Sequence, residues 1–338
     1  MTAPPACSQI GIFNQMWALA GVPDREAITT ALADIRHAEA HGFASVWIGE
    51  HHVTPGLPGT FHGRVPATEV FLAYVAGQTS RIAVGTGVKV LATNSARRSA
   101  EEMAMLHLLA PGRVEFGLGQ GTMLPGATES RVDKAARYRA LLAEIIATLR
   151  GELPFSLAPC PEVVEQIWVA ARDEPTIAFA AEHGLNFVIG QAEIGLRQAE
   201  HVRRYRAAGG RGSVRGARIA FVAETRAEAE RDCAEATEIY FRALSYKTYH
   251  AQAVADGLLP PTAPTPAERR RQVDFHAGTP EDVAAALNAH IALTGIDRLD
   301  IMPQLPGMEP AAVRRSLALF DAEVRPRLRF PVLADAQL

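Results

Sequence analysis

The chain has 338 residues, 48% of them apolar, a length that suits two ordinary domains or one large α/β barrel and a composition that supplies a substantial core. The formal net charge is -3, with Arg dispersed among Asp and Glu, so no basic stripe is present and nucleic acid is excluded as an expected partner. Cys7, Cys160 and Cys233 lack any CxxC spacing, the start MTAPPACSQIGIF lacks a charged and then apolar leader, and no apolar run reaches the roughly 18 residues of a membrane helix, so a soluble cytoplasmic protein without disulfides is expected.

In chain order, eight β-rich runs alternate with amphipathic segments. QIGIFN (residues 9–14) comes first. A helical stretch follows, REAITTALADIRHAEAHG, with Ile28, Leu32, Ile35 and Ala38 on one face and Gly42 as its stop. Then come SVWIGE (45–50), RIAVGTGVKV (81–90), RVEFGLGQG (113–121), QIWVAA (166–171), NFVIG (186–190), ARIAFVAE (217–224) and RLDIMP (298–303). The runs are dense in Val, Ile and Phe rather than strictly alternating, as strands buried on both faces require. Strand and helix repeated eight times predict a (β/α)8 TIM barrel spanning residues 1–338 as a single domain. Residues 246–277, between the seventh and eighth strands, carry clustered prolines and a basic run; they read as an insertion, either a surface excursion or, the favoured reading, a lid over the barrel mouth.

Barrel chemistry sits at the carboxyl ends of the strands. The second strand delivers Glu50, His51 and His52 there, three ionisable groups that are costly at the mouth of a core element unless something uses them. Adjacent histidines on extended chain point to opposite sides, which disfavours a shared metal, and no HxH or HExxH spacing is present. No GxSxG supplies a serine nucleophile, and the GLGQG run lacks the context of a dinucleotide fold. A histidine acting as general acid or base, oriented by Glu50, is the remaining option. Gly85, Gly87, Gly117, Gly119 and Gly121 remove side chains either for a planar ligand or to relieve crowding in the barrel. Phe13, Met16, Trp17, Leu57, Phe61 and Met123 line a substrate pocket or pack as core. Lys89, the one lysine at a strand end that a Schiff-base aldolase would use, reads equally as a solvated exterior residue.

Four stretches, GFASVWIGEHH, RIAVGTGVKVLATNSARRSAEEMAMLHLLAPGRVEFGLGQG, WVAARDEPTIAFAAEHGL and GTPEDVAAALNAHIALTGIDRLDIM, together resemble the bacterial luciferase-like monooxygenase family over nearly the whole length. The resemblance implies a flavin-dependent barrel enzyme that uses reduced flavin mononucleotide and dioxygen, through a flavin hydroperoxide, on an unidentified small organic substrate. It places the catalytic histidine on His51, with Glu50 holding its tautomer and His52 beside it. It places a bulge and a cis peptide that support the flavin ring at Gly87 and Val88. A reactive-thiol position falls on Gly119 and the arginine after it on Gln120, with Gly121 next. The phosphate would then fall to Arg172 and the hydroxyl of Thr176 at a helix start, helped by Arg139 and opposed by Asp173 and Glu174. A homodimer and a separate flavin reductase are expected partners. Two alternatives stay open: hydride transfer with a deazaflavin coenzyme, and noncatalytic flavin binding.

Overall fold

A computed structural model describes residues 9–52, 61–121, 128–245 and 248–331 of the chain. The first half contains β1 (Ile10–Asn14), β2 (Trp17–Leu19), α1 (Asp24–Ala40), β3 (Ser45–Ile48), β4 (Phe61–Gly63), α2 (Thr68–Gln78), β5 (Ala83–Val90), α3 (Ala96–Leu109), β6 (Val114–Gly119) and α4 (Arg131–Leu149). The second contains β7 (Ile167–Ala170), α5 (Glu174–Glu182), β8 (Asn186–Ile189), α6 (Gly195–Ala207), β9 (Val214–Val222), α7 (Arg226–Ser245), α8 (Thr248–Ala255), α9 (Pro266–Gln272), β10 (Phe275–Gly278), α10 (Pro280–Thr294), β11 (Arg298–Met302) and α11 (Pro310–Leu319).

Parallel pairing runs from β1 through β3, β5, β6, β7, β8, β9 and β11 and back to β1, which closes eight strands into a (β/α)8 barrel. These are the eight runs expected from the sequence. Two features were hidden in it. A short antiparallel ribbon, β2 with β4, rises from the segments after β1 and β3. A ninth strand, β10, ends the 246–277 segment: Ile219 pairs with both Met302 and Phe275, so β10 takes over the flank of β9 that β8 occupies lower down, at Val214 to Gly216. Among the described residues no helix is long and apolar enough to cross a membrane.

Local sequence explains the helix limits. Thr279 and Asp282 form a reciprocal capping box at the start of α10, and Gly295, in the left-handed region, ends it. α1 stops at Gly42 (φ 68°), where the Phe43 N–H reaches back to the Ala38 carbonyl. The buried face of α1 is rotated from the expected one. Ile28 is exposed, and Ala27, Ala31, Asp34, Ile35 and Ala38 face inward because the Asp34 carboxylate accepts from Arg314 of α11 at 2.9 Å.

Inside the barrel, one large residue organises the middle. Trp47 is buried, its indole N–H donates to Ser45 Oγ at 2.9 Å, and the guanidinium of Arg215 stacks 3.4 Å above its ring centre. Arg215 Nε donates to Asp300 at 2.5 Å, and both side chains are out of contact with solvent. Burial pushes the Asp300 carboxyl up, to about 6, against the pull of Arg215. Glycines make the room: a Cβ on Gly11 would lie 2.3 Å from Asp300 Oδ1, and one on Gly85 would lie 2.6 Å from the Trp47 ring. A second pair, Arg298 with Glu115 at 2.6 Å, sits beside Trp168, which meets Trp47 edge-on.

Removing one partner of the central pair leaves the other charge buried and alone, so Asp300→Ala should lower unfolding free energy by about 3–5 kcal/mol, whereas the double substitution Arg215→Met, Asp300→Leu should recover most of the loss. Urea denaturation of the three proteins checks this; equal losses in the single and double variants would contradict it.

Candidate active site

The segment after β3 is extended, so its side chains alternate between the two sides of the strand. His51 goes one way, and Glu50 and His52 go the other. The His51 ring nitrogen Nε2 lies 2.7 Å from Gln15 Oε1, just past β1. Its backbone N–H donates to the Val65 carbonyl at 2.8 Å. The ring sits in a slot that only glycine walls permit: a Cβ on Gly63 would fall 2.1 Å from His51 Cδ2, and one on Gly49 would fall 3.2 Å from Nε2. Trp17 of β2 stands on the ring's flank, centroids 6.3 Å apart. Burial, reinforced by the neighbouring His52, lowers the His51 pKa to about 4, so the imidazole is neutral at pH 7. With Nε2–H donated to Gln15, Nδ1 remains an acceptor.

Glu50 does not orient His51. Its carboxylate meets His52 Nε2 at 2.5 Å, and Thr68 donates to its other oxygen at 3.4 Å. The same alternation that separates the two histidines puts Glu50 with the residue two positions on, which is why the expected Glu50–His51 pairing fails. Burial raises the Glu50 pKa, opposed by His52 and Lys89. Lys89 is neither solvated nor a nucleophile: it points outward under α2 and α3, is 2% exposed, and is clamped by Glu69 at 2.7 Å and Glu102 at 2.8 Å. Burial favours its neutral form, but the two carboxylates outweigh that and raise its pKa.

Beside His51 in the wall, β5 carries a bulge. Thr86 pairs with Phe116 and Lys89 with Leu118, so Gly87 and Val88 together face one residue of β6, and the Gly87–Val88 peptide is cis. The barrel's own packing takes up the glycines nearby. A Cβ on Gly87 would meet Phe13 and Trp47 at 3.0 Å, one on Gly117 the Thr86 carbonyl at 2.2 Å, one on Gly119 Val88 at 2.5 Å, and one on Gly121 Val90 at 2.3 Å. Of the two readings of these glycines, relief of crowding is the one their contacts display.

The residues expected around a phosphate are arranged otherwise. Arg172 reaches Glu193 at 3.0 Å, on the loop after β8. Gln120, Arg139 and Thr176 do converge, but on a carboxylate. Asp173 Oδ2 accepts from Gln120 Nε2 at 3.0 Å; Oδ1 accepts from the Thr176 hydroxyl at 2.6 Å, the Thr176 N–H at 3.0 Å and Arg139 at 3.3 Å. Asp173 thus caps α5 and fills the donor cluster from within. This cluster does not present an open anion site.

Phe13 and Met16 are buried core residues at 5% and 2% exposure, and Asn14 Oδ1 holds the turn by accepting from the Met16 N–H at 2.6 Å. Trp17 also packs on Tyr240 of α7, 5.8 Å away. Leu57 and Met123, and the side chain of Phe61, lie outside the described residues. Gln15, Gly49 and Gly63 went unread in the sequence. A polar pair closing the first strand, Asn14 and Gln15, was the available signal for the first; nothing local marks Gly63. On the far rim, His250, Gln252 and Gln272 from the 246–277 segment wall a cavity of about 230 Å³ with Arg172, Glu193 and His201. Burial raises Glu193, but His201 and Arg172 outweigh it and hold the carboxyl down at about 2.

Comparisons with known proteins place the chain in a family. The model of the family described as luciferase-like monooxygenase matches residues 9–298. A luciferase-like monooxygenase of Escherichia coli is 29% identical over 203 residues, 55% of this chain and 58% of that protein. The chain spans about half to three-fifths of the length of the curated relatives it matches. Among solved structures, a monooxygenase from Streptomyces bottropensis superposes with TM-score 0.76 at 20% identity, covering 94% of this chain and 99% of that one. The oxygenating constituent of 3,6-diketocamphane monooxygenase from Pseudomonas putida, solved in complex with FMN, has TM-score 0.76 at 19% identity, covering 96% and 99%. With the family model spanning all but the ends of the sequence, the chain belongs to the luciferase-like monooxygenase family.

Proposed function

We propose that the chain is a flavin-dependent monooxygenase that takes reduced flavin mononucleotide and dioxygen and oxygenates a small organic substrate. The observation that carries this reading is the rim geometry, a desolvated neutral His51 held by Gln15 beside the bulged Gly87–Val88 wall. Reduced flavin, when bound, supplies the electrons that activate dioxygen. The chain's own residues do the rest. His51 offers an acceptor at Nδ1 and a donor at Nε2, so it can hold or move a proton at the reacting oxygen, and Gln15 sets its tautomer. Glu50 and His52 brace the rim from the other side. Phe13, Met16 and Trp17 supply apolar surface that excludes water, and α8 with α9 serves as a lid over the ends of β7 and β8. A separate reductase would deliver the flavin, and the chain would work as a homodimer.

Anaerobic titration with reduced flavin mononucleotide, followed by stopped-flow mixing with air-saturated buffer, tests the reading. Binding followed by reoxidation slower than that of free flavin is expected. His51→Ala should keep the binding and shorten that delay about a hundredfold or more, the low end of what a positioned acid or base contributes. Failure of reduced flavin to bind overturns the reading and makes a deazaflavin coenzyme the next ligand to try.

Two further outcomes follow from the slot around His51. Gly63→Ala puts a methyl where the ring lies, so it should reproduce the His51→Ala kinetics, at a stability cost of about 1–3 kcal/mol. The ¹⁵N shifts of the His51 ring should titrate near 4, well below the ordinary 6.5. Since the folded-state value is depressed, the unfolded chain takes up the proton first, and stability tied to His51 is lost as pH falls from 6.5 through 4. A midpoint near 6.5 would show an open, solvated ring.

A further inference from the structure

The donors gathered at the end of β6, on α4 and at the start of α5 form an oxyanion cradle by their chemistry: a carboxamide NH₂ (Gln120), a guanidinium (Arg139), a hydroxyl and a helix N-terminal N–H (both Thr176). All four point at one carboxylate, that of Asp173. We propose that Asp173 is a specificity-determining residue that occupies this cradle in place of a phosphate, so that the phosphate of a bound flavin adds nothing to its affinity. The inference rests on the flavin reading above and goes beyond it by naming which part of the cofactor the chain recognises.

The charges around the cradle support this. Arg139 is the cation of the cluster, and Asp173 already neutralises it at 3.3 Å. Glu174 adds an exposed negative charge in the first turn of α5. Arg172, the neighbouring cation, is turned to Glu193 at 3.0 Å, and Glu193 in turn meets His201 at 3.4 Å. A phosphate monoester brings about 1.5 to 2 negative charges at neutral pH. Entering here, it would face one carboxylate inside the cradle and another beside it, and would have to strip Asp173 of all its donors. Asp173 cannot swing away at no cost either, because the same oxygens cap α5. The cofactor is therefore held by its ring and its uncharged chain.

The test compares anaerobically reduced flavin mononucleotide with reduced riboflavin, which lacks the phosphate, by equilibrium titration. Wild-type protein should bind the two within about threefold of each other. Asp173→Asn retains a good helix cap and removes the charge, and Asp173→Gly empties the cradle at small cost to the cap. In both variants flavin mononucleotide should come to bind at least tenfold tighter than riboflavin, with riboflavin affinity unchanged. Circular dichroism confirms that each variant is folded. If wild-type protein already prefers flavin mononucleotide by tenfold or more, or if both folded variants leave the ratio near one, the inference about Asp173 is overturned while the flavin reading stands. If neither flavin binds the wild type, the flavin reading itself fails and takes this inference with it.

Discussion

Trp47 in the middle of the barrel is the constraint on which the upper site depends. Its indole fills a cross-section that β5 leaves open by carrying Gly85 and Gly87, and Arg215 and Asp300, the latter given room by Gly11 of β1, close the remaining gap with a buried ion pair. A buried guanidinium is expensive, and here the aromatic face below it and the carboxylate beside it offset that cost. The result is a solid floor. Above it, Phe13 lies against Gly87, and the bulge in β5 turns Val88 toward Gly119, so this stretch of the barrel wall is built directly on the packing of Trp47. A smaller residue at position 47 would loosen the floor and the wall together, because packed interiors transmit such changes rather than absorb them.

Strand alternation then sorts the chemistry at the rim. Glu50, His51 and His52 are consecutive, yet one enters the slot formed by Gly49, Gly63 and Gln15, while the other two join a polar cluster outside the barrel with Thr68. That cluster lies near Lys89, Glu69 and Glu102, where every buried charge has a partner of opposite sign. The division keeps carboxylates away from His51. An imidazole with a carboxylate beside it would hold its proton to higher pH; one facing the amide oxygen of Gln15 instead stays neutral, as burial, reinforced by His52, dictates.

Much of the scaffold was legible in the sequence because parallel strands buried on both faces must be continuous runs of Val, Ile and Phe, and all eight runs are barrel strands. What escaped was short or shared. β4 is three residues long, and β10 reads FHAG, four residues with no apolar run, because it pairs only with the upper part of β9. The motif Glu50–His51–His52 did not disclose its pairing, since partners across a barrel come from other strands: Gln15 lies 36 positions from His51. The glycines illustrate the same limit. A glycine in a strand announces that something approaches closely, and only coordinates show whether that is a ligand or, as at Gly119 and Gly121, the side chain of the next strand.

The donor cluster at Asp173 shows how far residue type alone can mislead. Arg172, Thr176 and Arg139 were expected around a phosphate; Arg172 turns to Glu193, while Arg139 and Thr176 meet with Gln120 on Asp173, which the expectation treated as an opponent standing beside an anion site. A carboxylate of the chain is itself an anion, tethered at high effective concentration to donors that would otherwise bind a free one. An intramolecular ligand that also caps a helix holds its position through two sets of bonds, those to Gln120 and Arg139 and those to Thr176, and a competing anion must displace both. The same reasoning covers Arg172, whose engagement with Glu193 links the loops after β7 and β8 beneath α8. Among the described residues, Arg139 and Arg172 are thus both committed to the protein's own acids, Asp173 and Glu193.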